Sequence, residues 1–163
     1  RFKPHTISVP ETWVLATGCF AKFVALNKLE DCADLFDDEL VKQRFLAGEF
    51  SEDVKETLRQ YSESHTLPLA VRSSALNEDA YHTASAGLFR TYFIPNRGPD
   101  RFRQLCEAIK LVYASAFYAD VHHFLRTHNI PREEGQMAVA LKPWLVPAGR
   151  TRISPLSGES PSR

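Results

Sequence analysis

The sequence predicts an α/β (α+β) domain, and three features carry that prediction. Apolar runs of strand length occur at Leu67–Val71 and at Met137–Leu141, each short and bounded by breakers or polar residues. Around them lie segments whose apolar residues recur at helical spacing, the longest from Asp100 to about His128. Strands interleaved with helices describe a layered α/β chain.

The elements follow in order. Ile7 to Leu15 is an extended segment with Pro10 near its start, where a missing amide is tolerated. Thr17 is placed to cap a short helix carrying Phe20, Phe23 and Val24 on one face. Asp34 is the expected cap of the next helix, with Leu35, Leu40, Val41 and Phe45 at helical spacing before Gly48 ends it. Ser51 opens a third helix to about Ser64, with Val54, Leu58 and Tyr61 inward. The Leu67–Val71 strand delivers Arg72 at its end, and a polar, small-residue loop leads to a strand from Leu88 to Ile94. Asn96-Arg-Gly-Pro99 is a turn. Asp100 starts one long helix to about His128, terminated by Asn129 and Pro131. Met137–Leu141 is a buried strand that Trp144–Val146 extends, with Pro143 as a break near its exit.

Composition bounds the function. With 163 residues, 44% hydrophobic and 25% charged, the chain is one domain with a real core. Twenty basic residues balance twenty acidic ones, which favours neither nucleic acid nor an anionic membrane as a partner. No apolar stretch approaches bilayer length and no signal peptide opens the chain. Three scattered cysteines make no disulfide framework, and a reducing cytoplasm is the natural setting.

The most informative stretch runs from Pro68 to Gly87. Arg72 is followed by two small hydroxyl residues, and Thr83-Ala-Ser-Ala-Gly87 has almost no side-chain bulk. A guanidinium beside such a loop suits a polyphosphate: the fork grips oxygens bidentately and exposed amides cradle the rest. By spacing alone the favoured reading is a structural arginine satisfying carbonyls next to an ordinary loop. Glu78 and Asp79 either cap the turn after the strand, which is favoured, or orient Arg72. His122 and His123 point in different directions on the long helix, so with His128 they make no converging metal site. Cys106 lies on the apolar stripe as packing, and His82 sits in the loop between Arg72 and Gly87.

Ala70-Val-Arg-Ser-Ser-Ala-Leu-Asn-Glu-Asp79, then Ala84-Ser-Ala-Gly-Leu-Phe-Arg-Thr-Tyr-Phe93, resembles the N-terminal nucleotide domain of the phosphoenolpyruvate synthase and pyruvate phosphate dikinase family. Ile7–Thr17 with Phe20 and Phe23 resembles that family's opening block. Ala108–Phe117 resembles its "AIKxVWASLF" helix and Met137–Val146 its "MAVVVQxMV" strand. The blocks keep the family's order from Ile7 to Val146; the Val-Arg-Ser-Ser block is the specific one.

The resemblance implies an ATP-grasp-type nucleotide-binding lobe in which ATP lies between two lobes. It implies that Arg72 contacts the phosphates and supports their transfer, and that Ser85, Ala86 and Gly87 cover them. Lys142, Trp144 and Leu145 fall on the adenine-side strand and connector. The sequence departs from the family there, with Lys142 in place of a glutamine and Trp144 in place of a methionine. Trp144 either stacks on the purine or is a core aromatic. Both ends read as cut, so the expected lobe is incomplete at both. Residues 1–163 then form a single domain within the ATP-grasp region of a longer enzyme, with an irregular tail at 149–163.

The family's phosphate-gripping lysine lies upstream of this stretch, and its Mg2+ ligands lie downstream, so no metal ligand is assigned within it. The implied activity is that of a dikinase. ATP phosphorylates a histidine on a separate swivelling phosphohistidine domain of the same chain, giving AMP and phosphate, and the phosphoryl group passes to pyruvate. Two alternatives stand beside it: a related dikinase with a rifampin or glucan acceptor, and a non-catalytic nucleotide-binding or interaction module that retains the fold.

Overall fold

The computed structural model describes residues 11–75, 89–129 and 137–144. Ten elements follow in order: β1 (Trp13–Leu15), α1 (Thr17–Asn27), a 3-10 turn (Glu30–Asp34), α2 (Asp38–Ala47), α3 (Glu52–Ser64), β2 (Leu69–Ala75), β3 (Thr91–Ile94), α4 (Arg101–Ser115), α5 (Ala119–Thr127) and β4 (Met137–Pro143). The strands make one antiparallel sheet in the order β1-β4-β2-β3, so β4 and β2 are its centre. The predicted mixture of helices and strands is therefore realised with a wholly antiparallel sheet.

Two-residue alternation decides which way the sheet faces. Leu69 and Val71 on β2, Tyr92 and Ile94 on β3, and Met137, Val139 and Leu141 on β4 are all buried in one core cluster. Helix α4 packs against β2, β3 and β4, while α1 packs against β4. Aromatic rings join the helices beneath: Phe23 meets Phe50 at 4.8 Å between centroids, Phe20 meets Tyr113 at 5.1 Å, and Phe45 meets Phe117 at 5.1 Å. Each such ring contributes roughly 1.5–3 kcal/mol through burial.

Local signals place most elements, with several corrections. Ser51 is the N-cap of α3, and Val54, Leu58 and Tyr61 form its buried face as their spacing predicts. Thr17 is the first residue of α1; Ala16 takes the extended cap position without a side-chain bond. Asp37, not Asp34, caps α2, its Oδ1 accepting from the amides of Glu39 (3.1 Å) and Leu40 (3.0 Å). Asp34 belongs to the 3-10 turn that buries Cys32, and Leu35 falls outside the helix. Gly48 ends α2 with an ordinary φ of −66°, so conformation is not what it supplies. It supplies room: a Cβ there would sit 2.8 Å from Cζ of Phe23.

The long helix from Asp100 to His128 is two helices. After Ser115 the chain turns through Ala116 and Phe117, and Tyr118 re-enters as an extended N-cap. Ser115 Oγ donates to the carbonyl of Val112 at 2.7 Å, and Asp38 on α2 accepts from the amide of Ala119 at 2.9 Å. The stop and the restart are therefore fixed in part by a partner 81 positions away. Strand β3 begins at Thr91 rather than Leu88. Pro143 is the last residue of β4, paired with Leu69, which puts the expected break at the strand's exit. No helix among the described residues is long and apolar enough to cross a membrane.

Candidate functional site

The predicted strand Leu67–Val71 is displaced: β2 runs from Leu69 to Ala75, and Arg72 lies at its middle rather than its end. Seven residues of β2 pair with β4, from Leu69 opposite Pro143 to Ala75 opposite Met137. Strand alternation turns Arg72 away from the core, and with it Ala70 and Ser74. Their partners on β4 are Ala140, Lys142 and Ala138, and those on β3 are Thr91 beside Arg72 and Phe93 beside Ala70. Val14 on β1 joins the same side, opposite Ala140 and 58% exposed.

Among the described residues, one face of the sheet therefore carries the helices and the core, and the other forms a floor. Its centre is built of alanines at 70, 138 and 140, flanked by exposed Arg72, Ser74 and Lys142. Arg72 and Lys142 are diagonal neighbours across β2 and β4, a separation of roughly 7–8 Å between positions. Two cations on a low-relief surface favour an anion that can lie flat between them. The Arg72 Nε donates to the carbonyl of Ser73 at 3.4 Å, which draws the side chain along its own strand.

The far end of the floor is aromatic. The amide of Trp144 donates to the carbonyl of Pro68 at 2.7 Å, continuing the ladder one step past Pro143. The Trp144 ring lies 4.4 Å from that of Phe93, centroid to centroid, at an interplanar angle of 43°. Trp144 is 37% exposed and is not a core residue. Along the floor Trp144 comes first, then Phe93 and Lys142 level with each other on either side of Ala70, then Arg72 opposite Ala140, and then Ser74 near the end of β2. From Trp144 to Ala140, beside Arg72, is four residues of strand, ~13 Å.

Arg72, Lys142 and Trp144 thus share one surface. Ser85, Ala86, Gly87 and Leu145 lie outside the described residues, as do Glu78, Asp79, His82, Pro131 and the tail at 149–163. Among the described residues no group of three or more His, Cys, Asp or Glu side chains is placed to hold a metal ion. His122 is buried on α5 while His123 and His128 are exposed. Cys106 is buried on α4, and that burial pushes its thiol up to about 11, as expected for packing rather than reactivity. A cavity of about 330 Å³ between β1, α1 and α3 is lined mainly by apolar side chains, with Cys19, Asp53 and Thr57 as polar members. Among the described residues its lining holds no cation, so nothing described there favours phosphate.

Nothing in the sequence alone marks Ala70, Phe93, Ala138 and Ala140 as members of this surface. For Ala138 and Ala140 the signal is the burial alternation of β4, Met-Ala-Val-Ala-Leu-Lys, which sets small or polar residues against buried ones; Ala70 and Phe93 are brought to the floor by the pairing of β2 with β4 and β3.

The family model for the pyruvate phosphate dikinase AMP/ATP-binding domain matches residues 2–143. Among curated proteins the chain is similar to the uncharacterized phosphotransferase YvkC of Bacillus subtilis (strain 168), 25% identical over 146 residues. That match covers 87% of this chain and 16% of the relative, so the chain spans well under a fifth of the relative's length.

Proposed function

The chain belongs to the pyruvate phosphate dikinase AMP/ATP-binding domain family, and on that premise we propose that the open sheet face is the floor of its ATP site. The observation that carries this reading is the ordered surface: an aromatic end at Trp144 and a cationic stretch through Lys142 and Arg72, on neighbouring strands. A nucleotide laid along β4 and β2 sets its base against the rings and its phosphates over the cations. Small alanines in the floor leave room for it, and backbone at the β4 exit reads the base edge. The residues therefore fit ATP. Ser85, Ala86 and Gly87 cover the phosphates in this proposal, and Leu145 completes the base side.

The fold is proposed to be an ATP-grasp-type lobe within a single domain of a longer enzyme, resembling phosphoenolpyruvate synthase, with magnesium held outside this stretch. The net reaction converts ATP, water and a histidine on a separate domain into AMP, phosphate and phosphohistidine, and the phosphoryl group then passes to pyruvate. Arg72 holds phosphate oxygens and stabilises charge as it develops, which is where preorganised donors contribute most. Lys142 adds a second, less directional charge. The relative's description as a phosphotransferase supports this class of chemistry.

Incubating the full-length protein with ATP labelled at the β- or γ-phosphate tests the reading. It predicts equal release of AMP and phosphate, with β-label retained on histidine. Release of ADP, or label retained only from the γ-position, contradicts it.

A further inference from the structure

We propose that Phe93 is a positioning residue that holds Trp144 as a stacking shelf, and that this pair makes the site discriminate purine from pyrimidine nucleotides. The inference rests on the reading of the open face as a nucleotide floor and extends it to base selection.

The geometry supplies the reason. Phe93 on β3 and Lys142 on β4 both flank Ala70 of β2, on the side away from the core. Ala70 has no bulk to separate its neighbours, so a ring from the end of β4 can reach across β2 to one on β3. Trp144 does so, at 4.4 Å from Phe93. Its backbone is tied down by the 2.7 Å bond from its amide to Pro68. An exposed tryptophan just past a strand end otherwise samples several rotamers, and ordering it costs free energy whenever a ligand stacks on it. Contact with Phe93 restricts those rotamers before the ligand arrives. The indole remains 37% exposed, leaving surface for a base.

Stacking strength grows with overlapping π-surface, so a two-ring base gains more from a prepared indole than a one-ring base. The phosphates, over Lys142 and Arg72, gain nothing from it. The aromatic end therefore governs the preference among bases, while the cationic end governs affinity for phosphate.

The test measures binding of ATP, CTP and inorganic tripolyphosphate to the full-length protein and to its Phe93→Ala, Phe93→Leu, Phe93→Tyr and Trp144→Ala variants. In the wild type, ATP is expected to bind more tightly than CTP. Phe93→Ala is expected to weaken ATP roughly threefold to tenfold, to narrow the ATP/CTP ratio by a similar factor, and to leave tripolyphosphate unchanged. Phe93→Leu, which keeps apolar bulk in β3 and serves if the alanine variant fails to fold, is expected to behave in the same way. Phe93→Tyr restores the ratio, and Trp144→Ala abolishes the preference. Variants that fold and keep the wild-type ATP/CTP ratio overturn the inference, as does an equal loss for ATP and tripolyphosphate, which marks a merely structural role. Binding of tripolyphosphate without base preference in the wild type overturns the shelf but keeps the phosphate floor. Wild-type protein that binds neither ligand overturns the floor itself.

Discussion

Ala140→Phe and Val139→Ala are neighbouring substitutions on β4 with opposite expected outcomes. Val139 is fully buried in the core cluster, whereas Ala140 lies on the floor between Val14 and Arg72. Val139→Ala removes two methyl groups from a packed interior, which costs about 2 kcal/mol in transfer and cavity energy together. In a domain of this size that lowers Tm by roughly 4–8 °C. Ala140→Phe adds a ring to a face where the core is not. Paired with Val14 across the strands, the ring contributes roughly 0.2–1 kcal/mol of favourable contact, so Tm is expected to stay level or rise slightly. Strands lie only ~4.8 Å apart, so the ring overhangs the ground beside Arg72 that a triphosphate needs. Losing one charge-assisted contact of about 1.5–3 kcal/mol weakens ATP roughly tenfold to a hundredfold. Thermal unfolding and calorimetric titration with ATP, on the same preparations of the full-length protein, read both effects. An Ala140→Phe protein that melts as low as Val139→Ala shows that the floor is packed. One that melts normally and binds ATP as the wild type does shows that the nucleotide lies elsewhere.

Two further substitutions test the scaffold away from the floor. The Asn27 amide nitrogen donates to the carbonyls of Phe23 (2.8 Å) and Glu49 (2.9 Å), and its oxygen accepts from the amide of Glu49 (2.7 Å), tying the end of α1 to the approach to α3. Asn27→Ala is expected to lower stability by about 2–3 kcal/mol with ATP affinity unchanged, as thermal unfolding and titration will show. Arg44 donates to both carboxylate oxygens of Asp31 at 2.8 Å, and that hydrogen bonding holds the Asp31 carboxyl below its ordinary value. A lowered native value stabilises the fold above the unfolded carboxylate value of about 3.9, and the gain is lost as pH falls through the native one. Asp31→Asn should therefore melt below the wild type at neutral pH, with the gap closing in acid; a gap constant down through the acid range contradicts the pairing.

Much of the fold was legible because the decisive interactions are local. The spacing of Val54, Leu58 and Tyr61 sets the buried face of α3 without reference to any other element. The short apolar run from Met137 to Leu141 likewise marks β4. The break between α4 and α5 was not legible: no glycine or proline marks it, and the amide of Ala119 is satisfied by Asp38 on another helix. Asp34 and Asp37 are chemically the same cap, and only the buried turn around Cys32 decides between them. At the site, the sequence singles out Arg72, Lys142 and Trp144 but not their adjacency. That depends on the β2–β4 register and on Phe93 reaching over Ala70, both of which are non-local.

The central claim, that Arg72 on the open face holds the phosphates during transfer, is tested most directly by Arg72→Lys in the full-length protein. Lysine keeps the charge on an exposed strand position but loses the planar fork. If Arg72 has this role, Arg72→Lys keeps the wild-type melting temperature and lowers the rate of phosphohistidine formation by a factor of roughly 10²–10³. A folded Arg72→Lys protein that forms phosphohistidine at near-wild-type rate contradicts it.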